Sequence, residues 1–253
     1  EKEYGYSVFS SVCNIEFNNK KLNIIDCPGS DDFCGGAITA LHVSDTAIIT
    51  LTANGGVEVG TQNNFRRAEK AKKPIAFVIN KCDHENADFE RTFNELKEVF
   101  GNKCTLFQYP INAGKDFNAA IDVLQGKMLV WKAEGGAPEA KDIPESEKAT
   151  VEEIRAQLLE WAAESDETIM DKYFEQGTLS DDELMRGLQT VFAEGSMYPV
   201  ICTSGLKDMG IRRLMGFLGE MTPSVADAPK PLTVNADEVA PVATAPTSAF
   251  IFK

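Results

Sequence analysis

An α/β fold built on a doubly wound, mostly parallel sheet, with an inserted α+β subdomain, is predicted by three features of this 253-residue chain. Short unbroken apolar runs alternate with stretches of helical period, and the alternation breaks down between residues 100 and 198. Residues 6–16 place apolar side chains loosely at every other position. Asn18-Asn19-Lys20 then makes a polar turn, and Leu22-Asn23-Ile24-Ile25 runs into Asp26, which together predict a β-hairpin. The apolar runs 46–51, 75–79 and 198–202 have the pattern of strands covered on both faces, so they are placed centrally in a parallel sheet. Between and after them, residues 36–42, 61–72, 89–100 and 211–218 read as helices.

The interval from 100 to 198 is too long for one crossover connection and requires an inserted unit. It begins with strand-like residues 105–111 and continues through 120–131. The loop Gly135-Gly136-Ala137-Pro138 precedes an acidic helix with Val151, Ile154, Leu158 and Trp161 on one face. Ser180 and Glu183 have capping-box spacing and open a further helix, whose stripe of Leu184, Leu188, Val191 and Phe192 is assigned to the core. Beyond Met221 the composition turns to Pro, Ala, Ser and Asp, with Pro223, Pro229, Pro231, Pro241 and Pro246, the signature of an extended linker. The run Ser248-Ala249-Phe250-Ile251-Phe252-Lys253 reads as the start of a strand. Because an unpaired apolar strand is a poor terminus, the parent protein is expected to continue past Lys253.

Composition narrows the function classes. At 43% hydrophobic and 25% charged residues the chain can bury a core, and its net charge of −14 repels phosphate backbones, which argues against DNA as a partner and leaves RNA contacts to other surfaces. No stretch of about 18 apolar residues occurs, and the first residues lack the blocks of an export signal, so a cytoplasmic monomer away from membranes is expected. Six scattered cysteines without a C-x-x-C, and only two histidines (His42 and His84), favour buried free thiols over disulfides or a zinc site.

Two short motifs carry chemistry. Asp26-Cys27-Pro28-Gly29 ends a predicted strand, where open α/β sheets bind ligands. A carboxylate there can hold the water shell of Mg2+, and the Gly29 N–H can approach a γ-phosphate because no Cβ intervenes. Taken alone, the same four residues suit a plain turn. Asn80-Lys81-Cys82-Asp83 ends the next central strand but one. Its carboxylate can accept hydrogen bonds from guanine N1–H and N2–H, a donor pair that adenine lacks. Asn80 can tie neighbouring loops, and the Lys81 stem can lie over the base. In isolation N-K-x-D is also a common polar turn. The order, spacing and strand context of the two together predict a site for GTP or GDP. Thr203-Ser204-Gly205-Leu206 ends the last strand, and Ser204, Gly205 and Leu206 can offer backbone N–H groups to guanine O6; a plain strand-to-helix turn is the other reading there.

With these residues in place, the chain resembles the G domain of elongation factor G. Asp26–Gly29 is similar to that family's third motif, Asn80–Asp83 to its fourth, and Cys202-Thr203-Ser204-Gly205 to its fifth. The family carries an inserted subdomain between the fourth and fifth motifs. The resemblance implies a G domain core over residues 1–102, the insertion over 103–195, the last strand and helix of the core over 196–222, and a linker with the first strand of a β-barrel domain over 223–253. It also implies GTP and Mg2+ as ligands, the ribosome as partner, and the ribosomal stalk protein as what the acidic insertion meets.

Departures from the family pattern shape the expected activity. No G-x-x-x-x-G-K-S/T run occurs, so the phosphate-cradling loop is expected to precede Glu1. Ser30 stands where the family has a water-orienting histidine. A hydroxyl exchanges no proton near pH 7, so hydrolysis is expected to be weak or absent. His84 and His42 do not replace it. Asp31 replaces an apolar residue and reads either as added negative charge near the γ-phosphate or as a solvated carboxylate. Glu3-Tyr4-Gly5-Tyr6-Ser7-Val8 matches the first switch only in its Gly and hydroxyl positions, with Ser7 as a candidate Mg2+ ligand. The resemblance therefore implies a GTP-binding translocation factor. A fully active ribosome-stimulated GTPase and a non-translocating regulatory paralogue remain the alternatives.

Overall fold

The computed structural model describes residues 5–227 without a break, and beyond them residues 3, 230, 232, 235, 238–240, 242, 244, 245, 247 and 249–252. Strands β1 (Ser11–Phe17) and β2 (Lys20–Asp26) form the expected hairpin. Asn18 and Asn19 both take left-handed backbone, φ 48° and 59°, the paired conformation of a two-residue turn whose twist matches the strands. Pairing starts only at Ser11, and residues 5–10 stay irregular.

The core sheet has the order β3 (Ala47–Thr52), β4 (Ile75–Asn80), β10 (Tyr198–Cys202), β5 (Cys104–Leu106), and every neighbouring pair is parallel. All five residues of β10 and the first five of β4 are buried, as the continuous apolar runs require. Helices α1 (Cys34–Val43), α2 (Val59–Lys70), α3 (Phe89–Phe100) and α7 (Ile211–Met221) complete this unit. Phe65 and Phe100 meet with ring centroids 4.3 Å apart, and Phe65 meets Tyr198 edge-on at 5.3 Å, tying α2 and α3 to the sheet.

The segment 105–111, read above as one strand, is two. Phe107 donates its N–H to Val200 O at 3.0 Å, and its own carbonyl accepts from Val123 N–H at 3.0 Å. One residue therefore passes the chain from the parallel sheet to a second, antiparallel sheet. β5 remains with the core, while β6 (Gln108–Pro110), β7 (Ala119–Asp122), β8 (Lys127–Val130) and β9 (Glu139–Lys141) form the second sheet in sequence order.

Helices α4 (Glu145–Ala163), α5 (Glu167–Gln176) and α6 (Asp181–Ala193) pack on one another, with α4 against β5 and α6 against α7, and the Tyr109 hydroxyl of β6 donates to Glu147 of α4 at 3.0 Å. The capping box forms at Ser180 and Glu183, and Leu184, Leu188, Val191 and Phe192 are all buried. α4 and α6 approach so closely that a Cβ on Gly187 would lie 2.6 Å from Ala162 O, so glycine is needed there.

Asp122 of β7 is 1% exposed and pairs with Arg213 of α7, which also reaches Glu220 at 3.0 Å. Breaking a buried pair leaves one charge desolvated and alone. Asp122→Ala is thus expected to lower unfolding free energy by about 3 kcal/mol, read from denaturant melts of wild type and variant.

The six cysteines are free: Cys82, Cys104 and Cys202 are buried, but Cys13 on the open face of the hairpin is exposed, contrary to the expectation of buried thiols throughout. In the terminal segment residues 249–252 form no strand, and among the described residues no strand pairs with them. Ser248, Lys253, Tyr4 and linker residues Pro229, Pro231, Pro241 and Pro246 lie outside the described residues. Among the described residues no helix is long and apolar enough to cross a membrane.

Candidate functional site

Two loops leave the carboxyl ends of adjacent strands, β4 and β10. After Asn80 the chain turns sharply, with Lys81 in left-handed backbone at φ 58°. That turn drives Cys82 inward to full burial and keeps Lys81 exposed. The ladder persists into the loops: Thr203 N–H donates to Ile79 O at 2.9 Å, and Cys82 N–H to Thr203 O at 3.1 Å. Asn80 joins them further. Its Oδ1 accepts from Gly205 N–H at 2.9 Å and from Thr203 Oγ1 at 3.2 Å, the strap foreseen for this residue.

Asp83 differs from its surroundings. It is half-buried, yet among the described residues no hydrogen bond or ion pair engages its carboxylate. A carboxylate that is partly withdrawn from water and unpaired suits an external donor pair. His84 next to it is occupied locally, its Nδ1 accepting from Asn86 N–H at 3.1 Å.

The 204–208 loop is closed by Ser204 and Met209, which exchange backbone hydrogen bonds of 2.9 and 3.0 Å. The Ser204 hydroxyl accepts from Lys207 N–H at 3.2 Å. With Gly205 N–H committed to Asn80, Leu206 N–H is the one backbone donor of Ser204–Lys207 without an acceptor among the described residues. The expectation that this loop offers several N–H groups to a ligand is thereby narrowed to one. The Leu206 side chain is 92% exposed.

The D-x-P-G run leaves β2, but β2 pairs only with β1 in a two-stranded antiparallel sheet among the described residues, so the motif does not end a central strand of the parallel sheet as expected; β2 is too exposed to sit inside that sheet. Asp26 is exposed, Pro28 buried, and Gly29 open, with no atom within 4 Å of where its Cβ would stand. Cys27 is partly buried among Ser10, Ile25 and Gly36, and that desolvation pushes its thiol pKa up. Ser30 is exposed with extended backbone, φ −73° and ψ 136°, and its side chain caps nothing. Its carbonyl accepts from Phe33 N–H at 3.1 Å and opens a short 3-10 turn, Asp31–Phe33.

Asp31 is exposed, as the solvated-carboxylate reading expects, but it is tethered. Asn63 donates to one carboxylate oxygen at 2.7 Å and Arg67 to the other at 3.0 Å, pinning the loop to α2. These bonds hold its carboxyl below the ordinary 3.8. The tether is complete at neutral pH and is lost only as pH falls through that lowered value. Negative charge from Asp31 is therefore spent on Arg67, which revises the expectation that it adds to a phosphate's repulsion. Sequence reading missed Asn63 and Arg67; α2 was recognised, but no local signal marks which of its polar residues meets a distant loop.

Ser7 is exposed in the irregular stretch before β1, and no hydrogen bond joins it to Asp26. Among the described residues no three His, Cys, Asp or Glu side chains converge to hold a metal ion. Asp26 alone suits water-mediated contact with Mg2+, an ion that keeps several of its waters.

Comparison with known proteins bears on this arrangement. The family description "Elongation factor Tu GTP binding domain" matches residues 1–224. An elongation factor G-like protein of Thermotoga maritima is 35% identical over 229 residues, 90% of this chain and 33% of that protein. A crystal structure of a protein from Thermus thermophilus superposes with a TM-score of 0.81 at 27% identity, covering 88% of this chain and 33% of its own. The chain thus spans about a third of the length of these relatives.

Proposed function

This chain belongs to the elongation factor Tu GTP-binding domain family, and from that premise we propose that it is the guanine-nucleotide-binding part of an elongation factor G-like protein that promotes movement on the ribosome in the cytoplasm. The observation that carries the reading is the half-buried, unpaired carboxylate of Asp83 on a loop strapped by Asn80. Asp83 accepts guanine N1–H and N2–H, Lys81 covers the base with its stem, and Leu206 N–H meets O6.

At the other end, Gly29 N–H faces the γ-phosphate, and the exposed loop of Gly29 and Ser30 responds to whether that group is present. Asp26, through water, and Ser7, as a second oxygen donor, would hold Mg2+, which when bound would supply positive charge against the phosphates. The Ser30 hydroxyl is shorter than an imidazole and too weakly basic to take up a proton near neutral pH, so it serves poorly to position or deprotonate water and hydrolysis is slow. The acidic faces of α4–α6, with Glu152, Glu153 and Glu160 on α4, meet protein, the stalk among candidates, in preference to RNA.

The test is ribosome-dependent GTP turnover and messenger–transfer RNA movement by the full-length protein. The reading expects movement supported by GTP with turnover well below that of a histidine-bearing relative. Equal turnover removes the slow-hydrolysis part. Failure to move RNA leaves a ribosome-binding regulator instead.

A further inference from the structure

The second sheet reaches both loops at the ends of β4 and β10, and at its closest point there is no room for a side chain. In the β6–β7 connection, Gly114 N–H donates to Cys82 O at 2.8 Å. The carbonyl of the next residue, Lys115, accepts from Lys207 Nζ at 3.1 Å, and the Lys115 ammonium pairs with Glu85 at 2.8 Å. After β8, Gly136 N–H donates to Asp208 O at 2.9 Å. Gly135, at φ 72°, packs so tightly that a Cβ would stand 1.7 Å from Lys207 O and 2.9 Å from Lys207 C. Both of those are backbone atoms, so no change of rotamer relieves the clash, and the 204–208 loop must move to admit any other residue.

These contacts come from the outer side of loops whose inner side is held by Asn80 and by the Ser204–Met209 bridge. Gly205, Leu206 and Asp208 are exposed, so without the second sheet that side of the loop would rest on nothing. We propose that the second sheet is a positioning element of the base-recognition loops, in which Gly135, Gly136 and the Lys115 carbonyl fix Leu206 N–H relative to Asp83.

The proposal rests on the guanine reading above. It predicts a particular signature. None of these contacts involves Gly29 or Ser30, so disturbing them changes affinity for the di- and triphosphate by the same factor. By linkage, a bound nucleotide strengthens the same contacts.

The experiment compares GDP and GTP binding by the full-length protein and three variants. Gly135→Ala is expected to weaken both nucleotides alike, by about tenfold or more, and Lys207→Met by about fivefold, the scale of lost hydrogen bonds to a positioned loop. Gly126→Ala is the control: its φ of 61° in the β7–β8 turn carries similar backbone strain, but nothing lies within 4 Å of its Cβ. Its affinities should match wild type.

Hydrogen exchange gives a second readout, with GDP slowing exchange at the Gly114 and Gly136 amides. If Gly135→Ala does not fold, Lys207→Met and the exchange data decide. Wild-type affinity in both Gly135→Ala and Lys207→Met overturns the proposal, as does an unequal change for GDP and GTP, or GDP leaving both amides unprotected where Gly135→Ala does not fold. A wild-type protein that does not prefer guanine over adenine nucleotides overturns the guanine reading itself, whatever the variants do.

Discussion

Asp83→Asn is expected to reverse base preference, costing about 10⁴ in affinity for GDP while raising affinity for xanthosine diphosphate. The carboxylate offers only acceptors, matching guanine N1–H and N2–H. An amide presents one acceptor and one donor, and its NH2 faces the N2 amino group of guanine, donor against donor. Xanthine carries an oxygen at that position and restores the match. Because the Asp83 carboxylate bonds to nothing among the described residues, the substitution should leave stability within about 0.5 kcal/mol. Competition between the two diphosphates, with a melting curve as control, checks both halves. A variant that still prefers guanosine would show that another group reads the base.

Ser30→His carries the second large effect: ribosome-stimulated hydrolysis is expected to rise by about 10²–10⁴, the range assigned to a positioned general base. The local structure admits the change. Ser30 is exposed, its extended backbone suits any L-residue, and its hydroxyl caps nothing, so an imidazole displaces no existing bond. The adjacent Asp31 charge is already paired with Arg67 and Asn63, so it does not capture the new side chain. Single-turnover GTP hydrolysis on ribosomes measures the effect. Unchanged turnover would mean that serine is not what limits the reaction.

How much of this was legible depended on how local each signal is. The capping box at Ser180 and Glu183 and the apolar stripe behind it lie within a few turns of chain, and the structure reproduces them residue for residue. The central strands were readable because burial on both faces forces unbroken apolar runs. The motifs ending β4 and β10 inherited that clarity, whereas β2 has no buried residue and was marked by the polar turn before it.

Elements with little burial left weaker traces. α5 buries only Ile169, so its pattern is faint, although Asp166 at its start and left-handed Gly177 at its end are the expected boundary residues. β9 is exposed at all three positions and shows no alternation.

Least legible were contacts between distant residues. The split at Phe107 depends on two strands far along the chain, and Asp31 meets Arg67 36 positions away. Gly135-Gly136 has the composition of a loop, but nothing nearby in sequence announces that its backbone rests on Lys207 and Asp208.

In the proposed function a single carboxylate, that of Asp83 on the loop strapped by Asn80, selects the purine. Equilibrium titration of the full-length protein with fluorescent GDP, displaced by unlabelled GDP or ADP, tests it most directly. Displacement by GDP is expected at concentrations at least about 10³ lower than by ADP, the scale on which an unpaired, half-buried acceptor rejects the wrong ligand. Equal displacement by the two would contradict it.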